Sequence, residues 1–134
     1  NSMNYHEKNV STVHKIHLLR SLISPKELIT NLRKHYPKID KLLISEKQKA
    51  ISCYRFDDSS SALLKYILNF SIPFHIVNQI IENLINEYFD NKEVVESLYM
   101  DEVDLKYLAE KGYLGSHSHS HFPLGRLKTD KILY

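Results

Sequence analysis

The spacing of apolar and polar residues predicts short strands that alternate with helices. Two apolar runs, 50–56 and 71–77, are short and rich in branched and aromatic side chains, which is typical of buried strands. Between them, residues 62–69 carry apolar side chains at helical spacing, behind three serines that can cap a helix. Briefer strands are predicted at 3–6 and 113–115. The order strand, helix, strand predicts a right-handed βαβ unit in a parallel sheet.

Further helices are predicted where signals for helix ends frame an apolar stripe. Ser24 and Glu27 have the spacing of a capping box, with a proline between them at the first helical position. Apolar stripes also predict helices over 78–89 and 101–109. Gly112 is placed to end the second of these in the left-handed conformation.

Two adjacent acids, Asp57 and Asp58, directly follow the first predicted strand. When two carboxylates lie at the carboxyl edge of a parallel sheet, one can bind a metal ion while the other accepts a proton from metal-bound water. A second interpretation stays open, in which the acids end a strand and cap the helix that follows. Asp58 is suited to that capping role.

Histidines alternate with serines in the run Gly-Ser-His-Ser-His-Ser-His-Phe-Pro-Leu at 115–124. In an extended chain, His117, His119 and His121 share a face, and in a helix His117 and His121 still meet while His119 turns away. Both cases let His117 and His121 hold one ion. Imidazole suits Zn²⁺, with Fe²⁺, Co²⁺ and Ni²⁺ as substitutes, and a carboxylate is a common further ligand. The alternative is a histidine-rich loop that binds metal only by accident.

The Phe-Asp-Asp sequence at 56–58 and the segment 105–124 together resemble the polysaccharide deacetylases, the NodB-homology domain family. In that family, a Phe-Asp-Asp-Gly motif and a His-Ser/Thr-x-x-His motif build the metal site of a distorted barrel that removes acetyl groups from N-acetylated sugars. The resemblance implies an α/β fold, a NodB-like distorted (β/α)7 barrel of TIM type. The 134 residues are then a single domain that holds the N-terminal half of the barrel.

Roles follow from the resemblance by motif position. It makes Asp57 the general base, and Asp58, His117 and His121 the ligands of Zn²⁺ or of Co²⁺, Ni²⁺ or Fe²⁺. His119 falls on a variable position of the motif and takes no role. The implied activity is hydrolysis of an N-acetyl group on an acetylated glycan or amino sugar, in which the metal polarises the carbonyl and activates a water molecule.

The chain also departs from the family. Ser59 stands where the family has glycine, and no counterpart follows of the later segments that carry the family's general acid. Three explanations are open for the missing segments. The chain is a fragment, or segments of it have been left out, or it is a short relative that dimerises or has lost catalysis. Two other functions stay open: a metal- or carbohydrate-binding relative without turnover, and a helical interaction protein with an incidental histidine tract.

Composition and charge limit the classes of partner that we expect for this chain. Of the 134 residues, 43% are hydrophobic and 25% are charged, which is enough apolar material for one core. The 18 Lys and Arg nearly balance the 16 Asp and Glu without a basic block, so we expect no nucleic-acid partner. No apolar run approaches the roughly 20 residues that cross a bilayer, so we expect no transmembrane segment. Residues 1–2 precede the first methionine and are interpreted as an expression scar.

Overall fold

A computed structural model describes residues 2–115 and residue 119, and every regular element in that part of the chain is a helix. The α-helices are α1 Ser2–Glu7, α2 Thr12–Leu22, α3 Pro25–His35, α4 Ile39–Ser45, α5 Lys47–Cys53, α6 Ser59–Tyr66, α7 Phe74–Ile85, α8 Asn91–Leu98 and α9 Glu102–Glu110. A π-helical turn, Ile67–Ser71, continues α6.

The predicted α/β barrel is therefore wrong, because no strand, sheet or TIM-type barrel occurs in residues 2–115. The run 50–56 lies in α5 and the turn after it, the run 71–77 leads into α7, and 3–6 lies in α1. Residues 113–115 form no regular element. Periodicity cannot separate a short apolar run in a strand from one in a buried helix, and this ambiguity produced the error.

Helix ends were predicted more successfully than strands. The capping box is confirmed, since Ser24 Oγ accepts from Glu27 N and Glu27 Oε2 accepts from Ser24 N at 3.2 and 2.9 Å. Hydrogen bonds from Ser24 to the Glu27 carboxylate, first from its backbone N–H and then from its side chain, lower the pKa of that carboxyl. Gly112 ends α9 with a φ of 71°. Its N–H donates to Ala109 O, and Tyr113 N donates to Leu108 O, which together form a Schellman motif.

The core lies where α6 and the π-helical turn are surrounded by other helices. α6 packs against α3 and α5, and the π-helical turn packs against α4 and α7, while α2 packs along α7. The side chains that are fully buried at this centre are Leu19, Leu28, Leu32, Ile39, Leu64, Ile67, Ile72 and Ile81. Burial of these amphipathic faces removes apolar surface from water and holds the helices together.

Polar contacts fix α2 against α7 beside this core. Lys15 is 2% exposed, and its Nζ donates to Asn9 Oδ1 and to Glu82 Oε2. One turn earlier, Thr12 Oγ1 donates to Asn78 Oδ1. Since a buried ammonium group is costly unless it is paired, these contacts favour one register of α2 on α7.

The last helices attach to the first through side-chain hydrogen bonds. Asn91, at the start of α8, accepts from Val10 N at 3.2 Å and donates to the Lys8 carbonyl at 3.3 Å. Val94 is the buried residue of α8, whereas α9 has no buried side chain. α1, α8 and α9 therefore form a less tightly packed end of the molecule.

We expect Leu64→Ala to destabilise the protein by about 2–5 kcal/mol, because it leaves a cavity at the centre of the core. Ile44→Ala is the matched control, since Ile44 is 82% exposed, and its cost should fall within about 0.5 kcal/mol. Urea unfolding followed by circular dichroism measures both. Equal costs for the two variants would contradict this assignment of the core.

Candidate functional site

Asp57, the predicted general base, is held in a local ion pair. Its Oδ2 accepts from Lys65 Nζ at 2.5 Å, and its backbone N–H donates to the Tyr54 carbonyl at 3.0 Å. The same ammonium group lies 5.5 Å from the centre of the Tyr54 ring. Both partners of the pair are about 30% exposed, at 32% for Lys65 and 27% for Asp57. The contacts join the turn before α6 to the second turn of that helix.

Asp58, a predicted metal ligand, is the N-cap of α6. Its Oδ1 accepts from Ser60 N and Ser61 N, each at 3.0 Å. Hydrogen bonds from Ser61, first through its side chain and then through its N–H, hold the pKa of the Asp58 carboxyl below its usual range. The alternative interpretation from the sequence, that Asp58 caps the following helix, is confirmed. The carboxylate also stabilises the positive end of the helix dipole.

The two predicted histidine ligands, His117 and His121, lie outside the described residues. His119 is described and is exposed. Within residues 2–115 and 119, no group of three or more His, Cys, Asp or Glu side chains has the arrangement of a metal site. The structure thus brings Asp57 and Asp58 together at the start of α6, and the predicted four-residue site stays a prediction.

A cleft that sequence reasoning missed lies where α1, α8 and the start of α9 meet. Its volume is about 660 Å³. Five of its lining side chains are aromatic or aliphatic: Tyr5, Val95, Tyr99, Met100 and Leu105. Five others are charged: Lys8, Lys92, Glu96, Asp101 and Glu102. The cleft therefore combines an apolar lining with charges of both signs.

Tyr99 fixes one side of this cleft. Its hydroxyl group accepts from Ser11 N at 3.2 Å and lies 2.6 Å from His14 Nδ1. Its ring meets Tyr5 edge to face, with centroids 5.8 Å apart and an interplanar angle of 65°. Aromatic pairs favour such an edge-to-face arrangement. The ring therefore has a defined position before any ligand enters the cleft.

Asn4 is a lining residue with an unmet hydrogen-bonding need. It is 2% exposed, and its buried Oδ1 has no hydrogen-bond partner within the described part of the chain. Leaving a buried acceptor unpaired costs about 1–3 kcal/mol. The unpaired acceptor therefore belongs to a residue of the cleft wall.

Capping signals in the sequence could have marked one edge of this cleft. Asp90 and Asp101 are the N-caps of α8 and α9, so capping residues mark the break between the two helices that contains Tyr99 and Met100. The approach of α1 to α8 joins residues that are more than 80 positions apart, as in the bond between Lys8 and Asn91. Local periodicity carries no information about such a contact.

Variants of Asp58 test the capping role. Alanine removes the acceptor that caps α6, whereas asparagine keeps an acceptor that caps nearly as well. We expect Asp58→Ala to lower the melting temperature by a few degrees and Asp58→Asn to lower it much less, as measured by circular dichroism. Equal losses in the two variants would show that the cap does not stabilise α6.

The charge of Asp58 makes its contribution depend on pH. Because its pKa in the folded chain lies below the ordinary value of 3.8, the unfolded chain takes up the proton first as the pH falls. The stability advantage of the parent over Asp58→Asn should be complete well above pH 3.8 and shrink as the pH falls through the folded-state pKa. Urea unfolding near neutral pH and below pH 3.8 measures the advantage. An advantage that grows in acid would contradict this linkage.

Comparison with known proteins returned no match: no protein-family model, no curated protein and no solved structure is significantly similar to this chain. Within residues 2–115, no helix combines the length and the apolar character that crossing a bilayer requires. The resemblance to the polysaccharide deacetylases therefore stays a prediction that depends on residues 56–58 and 105–124.

Proposed function

We propose that this chain is a helical ligand-binding domain and that the cleft between α1, α8 and α9 is its binding site. The observation that carries the proposal is the cleft itself, at about 660 Å³. Ligand sites typically have volumes of about 300–1,000 Å³, a largely apolar lining and a few polar groups that orient the ligand. The tyrosine rings, aliphatic side chains and charged groups around this cleft match that description.

Three further features support a binding role. The hydroxyl group of Tyr99 contacts Ser11 N and His14 Nδ1, so the Tyr99 ring needs little reorganisation when a ligand binds. Asn4 offers a buried acceptor that lacks a donor within the described residues. Met100, also in the lining, has a flexible thioether side chain that adapts to different shapes. The site is thus fixed on one side and adaptable on another.

Hydrolysis of an N-acetylated sugar is the second candidate, and the histidine run at 115–124 is the observation that favours it. The described contacts of Asp57 and Asp58 give both carboxylates structural roles at the start of α6. Those roles explain the acidic pair without a metal ion. We therefore rank ligand binding above deacetylation.

Asn4→Leu tests the binding proposal, because leucine has a similar size and removes the unpaired acceptor. We expect stability to be unchanged or raised by about 1 kcal/mol, and binding in the cleft to be weakened. The measurement is a screen of small aromatic and amide fragments by ¹H–¹⁵N NMR. Fragments should shift the amide signals of Tyr5, Val95 and Leu105 in the parent and less in Asn4→Leu.

Val103→Ala is the matched control, since Val103 is 73% exposed on α9 and does not line the cleft. It should leave the fragment shifts unchanged. A screen in which no fragment shifts the signals of the cleft would refute the binding proposal. A loss of stability in Asn4→Leu would show instead that the amide group contributes to the fold.

Metal content tests the deacetylase candidate separately. The resemblance predicts one divalent ion per chain that is lost in His121→Ala and kept in His119→Ala, as determined by elemental analysis after purification. It also predicts acetate release from N-acetylglucosamine oligomers by the metal-loaded chain. Absence of bound metal in the parent, or equal metal loss in both variants, would refute the predicted ligand set.

A further inference from the structure

We infer that the cleft binds a short extended peptide segment that carries a carboxylate near one end, a basic side chain near the other, and apolar residues between them. The inference rests on the proposed function and names its ligand class. It depends on how the charges around the cleft are distributed, on the nature of the surface between them, and on the separation of the two ends.

The basic end of the cleft is formed by Lys8 and Lys92. The Lys8 carbonyl accepts from Asn91 Nδ2 at 3.3 Å, and Asn91 immediately precedes Lys92, so both lysines lie at the start of α8. Lys92 pairs with Glu96 at 3.9 Å, but the two side chains are 83% and 67% exposed. An exposed pair of this kind is weak. A ligand carboxylate can therefore compete with Glu96, which also lines the cleft, for Lys92, and Lys8 adds a second positive charge to the lining.

The acidic end is formed by Asp101 and Glu102 at the start of α9. Glu102 pairs with Lys106 at 2.8 Å, again between side chains that are 70% and 81% exposed. Asp101 uses one oxygen, Oδ1, to accept from Asp104 N as the cap of α9. Its second oxygen and the Glu102 carboxylate can therefore receive a cationic group.

The two charged ends flank α8 along the chain. This helix runs Asn91–Leu98, with Lys92 in its first turn and with Asp101 and Glu102 shortly after its last residue, and at 1.5 Å per residue the helix itself is roughly 10 Å long. An extended peptide rises about 3.3 Å per residue, so charges three residues apart span the same distance.

The surface between the two ends suits a peptide better than other ligands. Tyr5, Val95 and Leu105 offer apolar contacts to the residues between the charged ends of a peptide. A neutral saccharide would gain no charge complementarity at either end of the cleft. A phosphorylated ligand would satisfy only the lysine end and would be repelled at the acidic end.

Synthetic tetrapeptides with blocked termini test the inference by calorimetric titration of the full chain. The probes are Asp-Leu-Leu-Arg and Arg-Leu-Leu-Asp, because the chain direction in the cleft is open, with the neutral peptide Asn-Leu-Leu-Gln as control. We expect one charged peptide to bind roughly tenfold more tightly than the neutral one. Added salt should reduce that preference.

A charge-swap variant sharpens the test. In Lys8→Glu/Lys92→Glu, both ends of the cleft are acidic, so the preferred ligand should change to Arg-Leu-Leu-Arg. Binding of the original peptide should fall by roughly tenfold. Lys41→Glu/Lys47→Glu makes the same change in net charge on exposed positions of α4 and α5 and should leave both affinities unchanged.

The outcomes separate this inference from the proposed function. Equal binding of charged and neutral peptides, or no change of preference in the charge-swap variant, overturns the inference while a ligand still occupies the cleft. Binding of an N-acetylglucosamine trimer in the cleft, without binding of any peptide, also overturns the inference and leaves the proposed function standing. If neither the peptides, the trimer nor the fragments bind, the inference and the proposed function both fail.

Discussion

Burial of shared apolar faces is the constraint on which this structure depends, because its helices are too short to persist alone. The described α-helices have 6 to 12 residues, whereas isolated helices shorter than about 12–15 residues are marginal in water. Each must therefore gain its stability from a neighbour. The helix pair α2 and α7 and the central α6 provide these contacts, with Leu19, Leu64 and Ile81 completely buried among them.

Residue patterns predicted helix ends better than they predicted the fold. Capping at Ser24 and Asp58 and termination at Gly112 each depend on one side chain or one backbone angle, and such local signals are readable in sequence. The segment 50–56 has the pattern of a buried strand, yet Ala50 is buried while Phe56 is 89% exposed. Apolar character alone did not reveal which of these side chains meets the core.

The candidate sites show the same division between local and distant information. The sequence indicated that Asp58 could cap a helix, and the pairing of Asp57 with Lys65 adds only a contact eight residues away. The cleft depends instead on distant contacts around α1 and α8, namely the ring pair of Tyr5 with Tyr99 and the bond of Asn91 to the Lys8 carbonyl. Such contacts follow from the packing of the whole chain, so neither spacing nor family motifs could predict them.

The lack of buried side chains in α9 has a consequence for how a ligand would act on the chain. A helix with no fully buried side chain is expected to open locally, at a free energy below that of global unfolding, and its amides should exchange with solvent early. Since Asp101, Glu102 and Leu105 line the cleft, a ligand that contacts them would hold the helix closed. Part of the ligand's intrinsic affinity would offset the entropy that α9 loses when it becomes ordered. Occupancy of the cleft would then be visible as slowed hydrogen exchange of the α9 amides, which the core itself leaves unprotected.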